Sequence, residues 1–164
     1  MNRISSTNRS TFVLADLVHY GQPLQVADLP RLTAMYPILV SDDDLNMLML
    51  IRTVLEQENP LTTIGTLDSR ETLRLSKDVQ VSLIISDIMK PRMDGFEILD
   101  QVRANPDTCD VPYMFVTARG DRASMEHAQA LGVDRYIVKP FAPQELIRTV
   151  QELLLERYRK VMGG

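Results

Sequence analysis

Val81-Ser82-Leu83-Ile84-Ile85 is a near-continuous apolar run that ends in Ser86-Asp87. A strand with one wet face alternates apolar and polar residues. An unbroken run reads instead as a strand covered on both faces. Such a strand lies inside a sheet with helices above and below it, and the rest of the chain can be read against that expectation. Upstream, Ile38-Leu39-Val40 is a second short apolar run, ending in Ser41 and then Asp42-Asp43-Asp44. Between the two runs, Met47, Leu48, Ile51, Val54 and Leu55 recur at the i, i+1, i+4, i+7, i+8 spacing of one helix face. Residues 62–67 are β-branched and predict a strand. Residues 68–76 predict a helix, with Asp68 or Ser69 as N-cap and Glu71 in the first turn.

Downstream the alternation continues. Residues 94–104 predict a helix that buries Phe96, Leu99 and Val102 and is broken by Asn105-Pro106-Asp107. Residues 113–116 predict a strand, 121–131 a helix with Gly132 just past its end, and 136–138 a strand. A last helix runs from Pro143 to about Lys160 and buries Leu146, Ile147, Val150, Leu153 and Leu154. Short strands joined through helices imply parallel pairing with right-handed crossovers. The predicted fold is α/β, a five-stranded parallel sheet with helices on both faces. In such doubly wound folds the ligand site lies at the carboxyl ends of the strands.

Composition sets bounds on function. At 45% hydrophobic and 24% charged residues, the chain suits a globular protein with a real core. Its 164 residues fit one domain plus extra segments. A formal charge of −4 with no basic stripe argues against nucleic acid as a partner. Cys109 is the one cysteine, so no internal disulfide forms, which fits a cytoplasmic location; an incidental loop thiol is its plain reading. No apolar run reaches the roughly 20 residues a membrane helix needs, so no membrane partner is expected. Asp16 interrupts the stretch Phe12-Val13-Leu14-Ala15-Asp16-Leu17-Val18, and no small-residue cleavage pattern follows, which excludes a signal peptide.

Four predicted strand ends then carry chemistry to one sheet edge. The first strand ends in Asp42-Asp43-Asp44, the third in Ser86-Asp87, the fourth in Thr117-Ala118 and the fifth in Lys139-Pro140. Two carboxylates about 4 Å apart repel by roughly 4 kcal/mol at an effective dielectric near 20. A hard divalent cation relieves that repulsion, and Mg²⁺ prefers carboxylate oxygens, water and phosphate. A carboxylate beside such a metal can attack a phosphoryl group as a covalent nucleophile. Lys139 and Thr117 are suitable partners for the developing oxyanions. Each element alone has a plainer reading: an aspartate pair as a helix N-cap, Asp87 as a turn residue, Thr117 as β-branched packing, Lys139-Pro140 as a solvated turn. Their joint occurrence, in order and on separate strand ends, outweighs those readings.

The sequence resembles the response-regulator receiver family of two-component signalling, in particular its stand-alone, chemotaxis-regulator-like members with a flavodoxin-like fold. The motifs that carry the resemblance are Ile38-Leu39-Val40-Ser41-Asp42-Asp43-Asp44, Ile84-Ile85-Ser86-Asp87-Ile88-Met89-Lys90-Pro91-Arg92-Met93-Asp94-Gly95, Val116-Thr117-Ala118 and Tyr136-Ile137-Val138-Lys139-Pro140-Phe141. The likeness covers about residues 37–160. It implies that Asp87 is the phospho-acceptor. Asp43, Asp87 and the backbone carbonyl of Met89 would ligate Mg²⁺, with Asp42 holding it through water. Thr117 and Lys139 would contact the phosphoryl oxygens, and Tyr136 would be the aromatic switch that follows Thr117. Asp44 would serve as a helix cap, Ala118 would leave the site accessible, and Met89 and Arg119 lie where the family tunes phosphoaspartate lifetime. A cis Lys139–Pro140 bond is also implied.

The implied partners are a histidine kinase or histidine phosphotransfer protein and an output protein, not identified by the sequence, at the face of helix 4, strand 5 and helix 5 of the five regular pairs. The chain would be no enzyme beyond catalysing its own phosphotransfer and dephosphorylation, and it would need no organic cofactor. Two rival readings stand beside it. An unphosphorylated receiver-like interaction module would not need the full set of site residues. A metal-dependent phosphohydrolase would need a second aspartate close after the nucleophile, and Asp87-Ile88-Met89 offers none.

Three residues depart from the family pattern. Ser41 and Lys90 stand where apolar residues are usual, and Arg135 stands where one branch carries an aspartate that helps build its dimer. His19 and His127 read as ordinary surface or packing residues, and the nine methionines mostly as helix-face fillers. Residues 1–36 read as an N-terminal extension, partly flexible, that either packs on the main domain or stays mobile. Residues 37–160 read as the receiver and 161–164 as a tail. Within the extension, 13, 14, 17 and 18 fall on one helix face. That stripe predicts a short helix and a homodimer that depends on residues 10–20.

Overall fold

The computed structural model describes residues 22–57 and 60–163. A 3₁₀ turn, Val26–Asp28, leads directly into helix α1, Leu29–Met35. Strands and helices then alternate: β1 Ile38–Ser41, α2 Leu45–Gln57, β2 Thr63–Thr66, α3 Ser69–Asp78, β3 Leu83–Ser86, α4 Gly95–Ala104, β4 Tyr113–Thr117, α5 Arg122–Ala130, β5 Arg135–Val138 and α6 Pro143–Gly163. All five strands pair in parallel in the order β2-β1-β3-β4-β5. This is the predicted doubly wound α/β fold. Because α1 precedes the five regular pairs, the face of the fourth helix, fifth strand and fifth helix is the α5–β5–α6 face.

The two-residue period of the strands divides the core into two layers. Ile38, Val40, Leu83, Ile85, Met114, Val116 and Ile137 face α2 and α6, where Leu48, Ile51, Leu55, Leu146, Val150 and Leu154 meet them. Leu39, Ile84, Tyr113 and Phe115 face the other way, onto Leu73 of α3, Ile98, Leu99 and Val102 of α4 and Ala128 of α5. The predicted core of α4 shifts slightly. Ile98 is fully buried, while Phe96 is half-buried and packs edge-on to Phe115 at 5.7 Å. Ile147 is likewise only half-buried.

Asp68 caps its helix as predicted, and Asp94 and Asp121, which the sequence pattern places as first helical residues, stand one position earlier as N-caps. Asp68 Oδ1 accepts from Arg70 N at 2.8 Å, Asp94 Oδ1 from Glu97 N at 3.0 Å and Asp121 Oδ2 from Ser124 N at 3.0 Å. Each bond satisfies an amide that the helix itself cannot pair. Gly132 ends α5 with φ +87, a left-handed conformation that glycine adopts without steric cost.

Residues 24–36 take the first of the two alternatives for the extension: they pack on the domain. Leu24, Leu29, Leu32 and Tyr36 join the layer of α2 and α6. Arg159 of α6 donates to the Leu24 carbonyl at 3.0 and 3.1 Å, and Thr33 Oγ1 accepts from Thr62 N at 2.9 Å. The predicted helix at 12–20, its apolar stripe and His19 lie outside the described residues.

Candidate functional site

Strand register builds the site. Ser41 pairs with Ser86 across β1 and β3, so the next residue on each strand, Asp42 and Asp87, emerges side by side. The ladder extends one bond further, Asp87 N donating to Ser41 O at 3.1 Å. At β4 and β5, Thr117 pairs with Val138, and Lys139 follows with its amide donating to Thr117 O at 2.8 Å. β1 and β3 are neighbours whose chain connections leave in opposite directions, the switch point at which doubly wound sheets open a crevice.

The crevice is acidic and clamped by one lysine. Lys139 Nζ donates to Asp87 Oδ2 at 2.7 Å and to Asp42 Oδ2 at 2.9 Å. The remaining oxygens are engaged by backbone: Asp42 Oδ1 accepts from Asp44 N at 2.9 Å and Asp87 Oδ1 from Met89 N at 3.0 Å. Asp42 and Asp87 are 1% and 7% exposed, whereas Asp43 is open to solvent. Burial pushes the Asp42 carboxyl above the usual carboxylate range, against the pull of Lys139 and the Asp44 amide. Burial alone would depress Lys139, but its bonds to Asp87 and Asp42 outweigh that and hold the ammonium above its ordinary value. The Lys139–Pro140 bond is cis, as the resemblance implied.

One oxygen each from Asp42, Asp43 and Asp87 lies within 4.8 Å of the others. The donor set is all oxygen and all anionic. In an octahedral Mg²⁺ shell with bonds of about 2.1 Å, opposed oxygens stand about 4.2 Å apart. The spacing is therefore close to that of a hard divalent cation, and the exposure of Asp43 leaves room for the waters such an ion keeps. Met89 contributes its backbone to the loop beside this cluster while its side chain is 55% exposed.

Thr117 and Tyr136 meet on one residue. Thr117 Oγ1 accepts from Arg119 N at 3.2 Å, and Tyr136 OH donates to Arg119 O at 2.5 Å. Thr117 is fully buried and Tyr136 half-buried, its ring 6.0 Å from that of Phe115. The structure thus brings Asp42, Asp43, Asp87 and Lys139 directly together. Thr117, at the end of β4, is bonded to Arg119 rather than to Asp87. Ala118 is exposed, and Asp44 caps α2 as expected, accepting from Asn46 N at 2.9 Å. Gly95 permits the approach of α4 to this loop: a Cβ there would fall 2.4 Å from Asp87 O and 2.7 Å from Ile88 Cα. His127 packs its ring 4.4 Å from Phe96, an ordinary packing role.

A family model for the response regulator receiver domain matches residues 38–151. The chain belongs to this family. Curated relatives include an uncharacterized 14.6 kDa protein in the sodA1 3′ region of Leptolyngbya boryana, 36% identical over 74% of this chain and 92% of that one. The transcriptional regulatory protein ResD of Bacillus subtilis is 35% identical over 71% of this chain and 47% of its own length. The receiver thus spans about half the length of that regulator. Among solved structures, the chemotaxis response regulator CheY4 of Vibrio cholerae superposes with a TM-score of 0.66 at 28% identity, covering 71% of this chain and 96% of that one. A CheY-like receiver from Methanospirillum hungatei gives 0.70 at 26%, covering 75% and 96%. This receiver is therefore a signalling domain of two-component systems rather than a conventional enzyme. Among the described residues, no helix is long and apolar enough to cross a membrane.

Sequence reasoning noted Ser41 and Lys90 separately and did not join them. In this receiver Lys90 Nζ donates to Ser41 Oγ, and Ser41 Oγ lies 2.5 Å from Thr72 Oγ1. Burial pulls the Lys90 ammonium down to about 8, opposed by the charges of Asp42, Asp87, Asp43 and Asp68. The signal available beforehand was a polar residue at an interior strand position and a cation in the loop after Asp87.

Proposed function

We propose that this receiver is a phosphorylation-controlled switch that takes a phosphoryl group onto Asp87 in a Mg²⁺-dependent reaction. The donor is a phosphohistidine on a histidine kinase or histidine phosphotransfer protein. The observation that carries the reading is the Lys139 ammonium bridging Asp42 and Asp87 beside Asp43 at adjoining strand ends. In the reaction an Asp87 carboxylate oxygen forms the bond to phosphorus as the P–N bond to the donor imidazole breaks, leaving an acyl phosphate. Asp43, Asp87 and the Met89 carbonyl would hold Mg²⁺, with Asp42 acting through water. Bound there, the ion supplies positive charge to the phosphoryl oxygens. Lys139 already lies on Asp87 and stays as a second positive contact for the new oxyanions.

The output follows from Arg119. Thr117 must give up the Arg119 amide to reach a phosphoryl oxygen, and the carbonyl of that same residue holds Tyr136. A shift at Arg119 therefore changes the seat of Tyr136 on the α5–β5–α6 face, where an output protein docks. The chain catalyses no reaction but its own phosphotransfer and dephosphorylation, and it works in the cytoplasm. Its organisation is an extension over 1–36, of which 24–36 pack on the receiver, the receiver over 37–160, and a tail over 161–164 whose residues 161–163 continue α6.

The test uses a small acyl or amido phosphodonor. With Mg²⁺ the chain gains one phosphoryl mass, and Asp87→Asn gains none. Full labelling of Asp87→Asn would refute the assignment.

A further inference from the structure

Lys90 lies in the loop after β3 between exposed neighbours. Met89, Pro91 and Arg92 are exposed, yet Lys90 is half-buried and its ammonium returns to Ser41. Ser41 is 1% exposed and is the residue immediately before Asp42.

The direction of the hydroxyl chain is fixed by counting protons. Thr72 Oγ1 donates to Asp68 O at 3.0 Å, which uses its one hydrogen. Ser41 Oγ, 2.5 Å away, must then donate to Thr72. That leaves Ser41 as an acceptor, and Lys90, which has donors only, supplies the hydrogen. The relay ending on the Asp68 carbonyl is thus an anchor for a cation. An apolar residue at position 41 would leave the ammonium without this partner.

The anchor sets a second positive charge against the acidic edge. Lys139 contacts Asp42 and Asp87 directly, and Lys90 faces the charges of Asp42, Asp87 and Asp43. Three carboxylates and one lysine would leave two negative charges, matching a divalent ion. With two lysines the same group carries one.

We propose that Lys90, held by Ser41 and Thr72, is a built-in cation that competes with the divalent metal and keeps the Mg²⁺ affinity of the resting receiver low. The inference rests on the reading of Asp42, Asp43 and Asp87 as the Mg²⁺ site.

The test is calorimetric titration of the full, unphosphorylated chain with Mg²⁺ at fixed ionic strength. Lys90→Gln should bind Mg²⁺ about tenfold more tightly, equivalent to about 1.4 kcal/mol. Ser41→Val should tighten binding by a smaller factor, because the freed ammonium moves toward solvent. Lys90→Arg, which keeps the charge, should stay within about threefold of the parent, a shift of less than about 0.7 kcal/mol. If Lys90 merely pins the loop that carries Met89, Lys90→Gln will bind Mg²⁺ equally or more weakly, and the inference is wrong. If neither the parent chain nor Lys90→Gln binds Mg²⁺, the metal-site reading fails, and the inference with it. Binding by the parent that Asp43→Asn abolishes, with no gain in Lys90→Gln, overturns the inference alone.

Discussion

The two ends of one sheet are built from opposite materials. At the amino end, α1 and the turn before it bring Leu24, Leu29, Leu32 and Tyr36 against the α2–α6 layer. At the carboxyl end the buried side chains are Ser41, Asp42, Thr66, Ser86, Asp87 and Thr117. The same five strands supply both. Burying apolar side chains contributes roughly 1.5–3 kcal/mol each, whereas burying carboxylates costs stability unless each is paired. The amino end therefore stabilises the fold by itself, whereas the carboxyl end depends on the one lysine that pairs its carboxylates, and perturbations of the two should differ in how they respond to a cation.

The largest difference is expected for Lys139→Met. It leaves Asp42 and Asp87 buried without their shared partner, a loss of about 3–5 kcal/mol in chelator. Saturating Mg²⁺ should recover most of it, read by urea denaturation with and without the ion. Leu32→Ala, at the other end, opens a cavity in fully buried packing. Its cost of about 2–5 kcal/mol should be the same in Mg²⁺ and in chelator. Equal responses to Mg²⁺ in the two variants would erase the distinction between the ends.

A smaller effect of opposite sign is expected at Asp42. Its folded-state carboxyl lies above the ordinary 3.8 because it is buried, so the folded chain holds its proton more tightly than the unfolded one. Between those two values stability falls as pH rises, and above the folded value the penalty is complete. Asp42→Asn should therefore stabilise the metal-free chain at pH 7, and the gain should vanish as pH falls to about 4. A gain that grows in acid would contradict burial as the dominant cause.

The smallest expected change concerns association. The apolar stripe at 13, 14, 17 and 18 predicts a dimer. The comparison is sedimentation of the full chain against one beginning at Gln22, which keeps the packed segment 24–36. Two monomers would rule the dimer out, whereas loss of dimer in the shorter chain alone would support it.

The fold was legible where a local rule suffices. The unbroken apolar run at 83–85 reads as a strand covered on both faces, and Leu83 and Ile85 do pack to one side and Ile84 to the other, while Asp68 caps its helix as read. Helix α1 was not legible, because it carries a proline, which in a sequence ordinarily marks a break. Proline is tolerated in a first turn, whose amides lack helical partners anyway, and Pro30 falls there. The core of α4 was misjudged by size: the larger Phe96 sits at the rim against His127, and Ile98 takes the interior. At the site, strand ends revealed Asp42, Asp87 and Lys139, each of which follows a strand directly, and Thr117, which closes one. The Lys90–Ser41–Thr72 relay joins residues 49 and 31 positions apart, so no local pattern exposes it.

The most direct test of the account is to locate the phosphoryl group chemically. After labelling with a small phosphodonor and Mg²⁺, borohydride reduces an acyl phosphate and converts the aspartate that carried it to homoserine. Peptide mass spectrometry should then find homoserine at position 87 alone, and only when Mg²⁺ was present. Homoserine at 42 or 43, or equal yield at 87 in chelator, would contradict the assignment of nucleophile and metal ligands at this sheet edge.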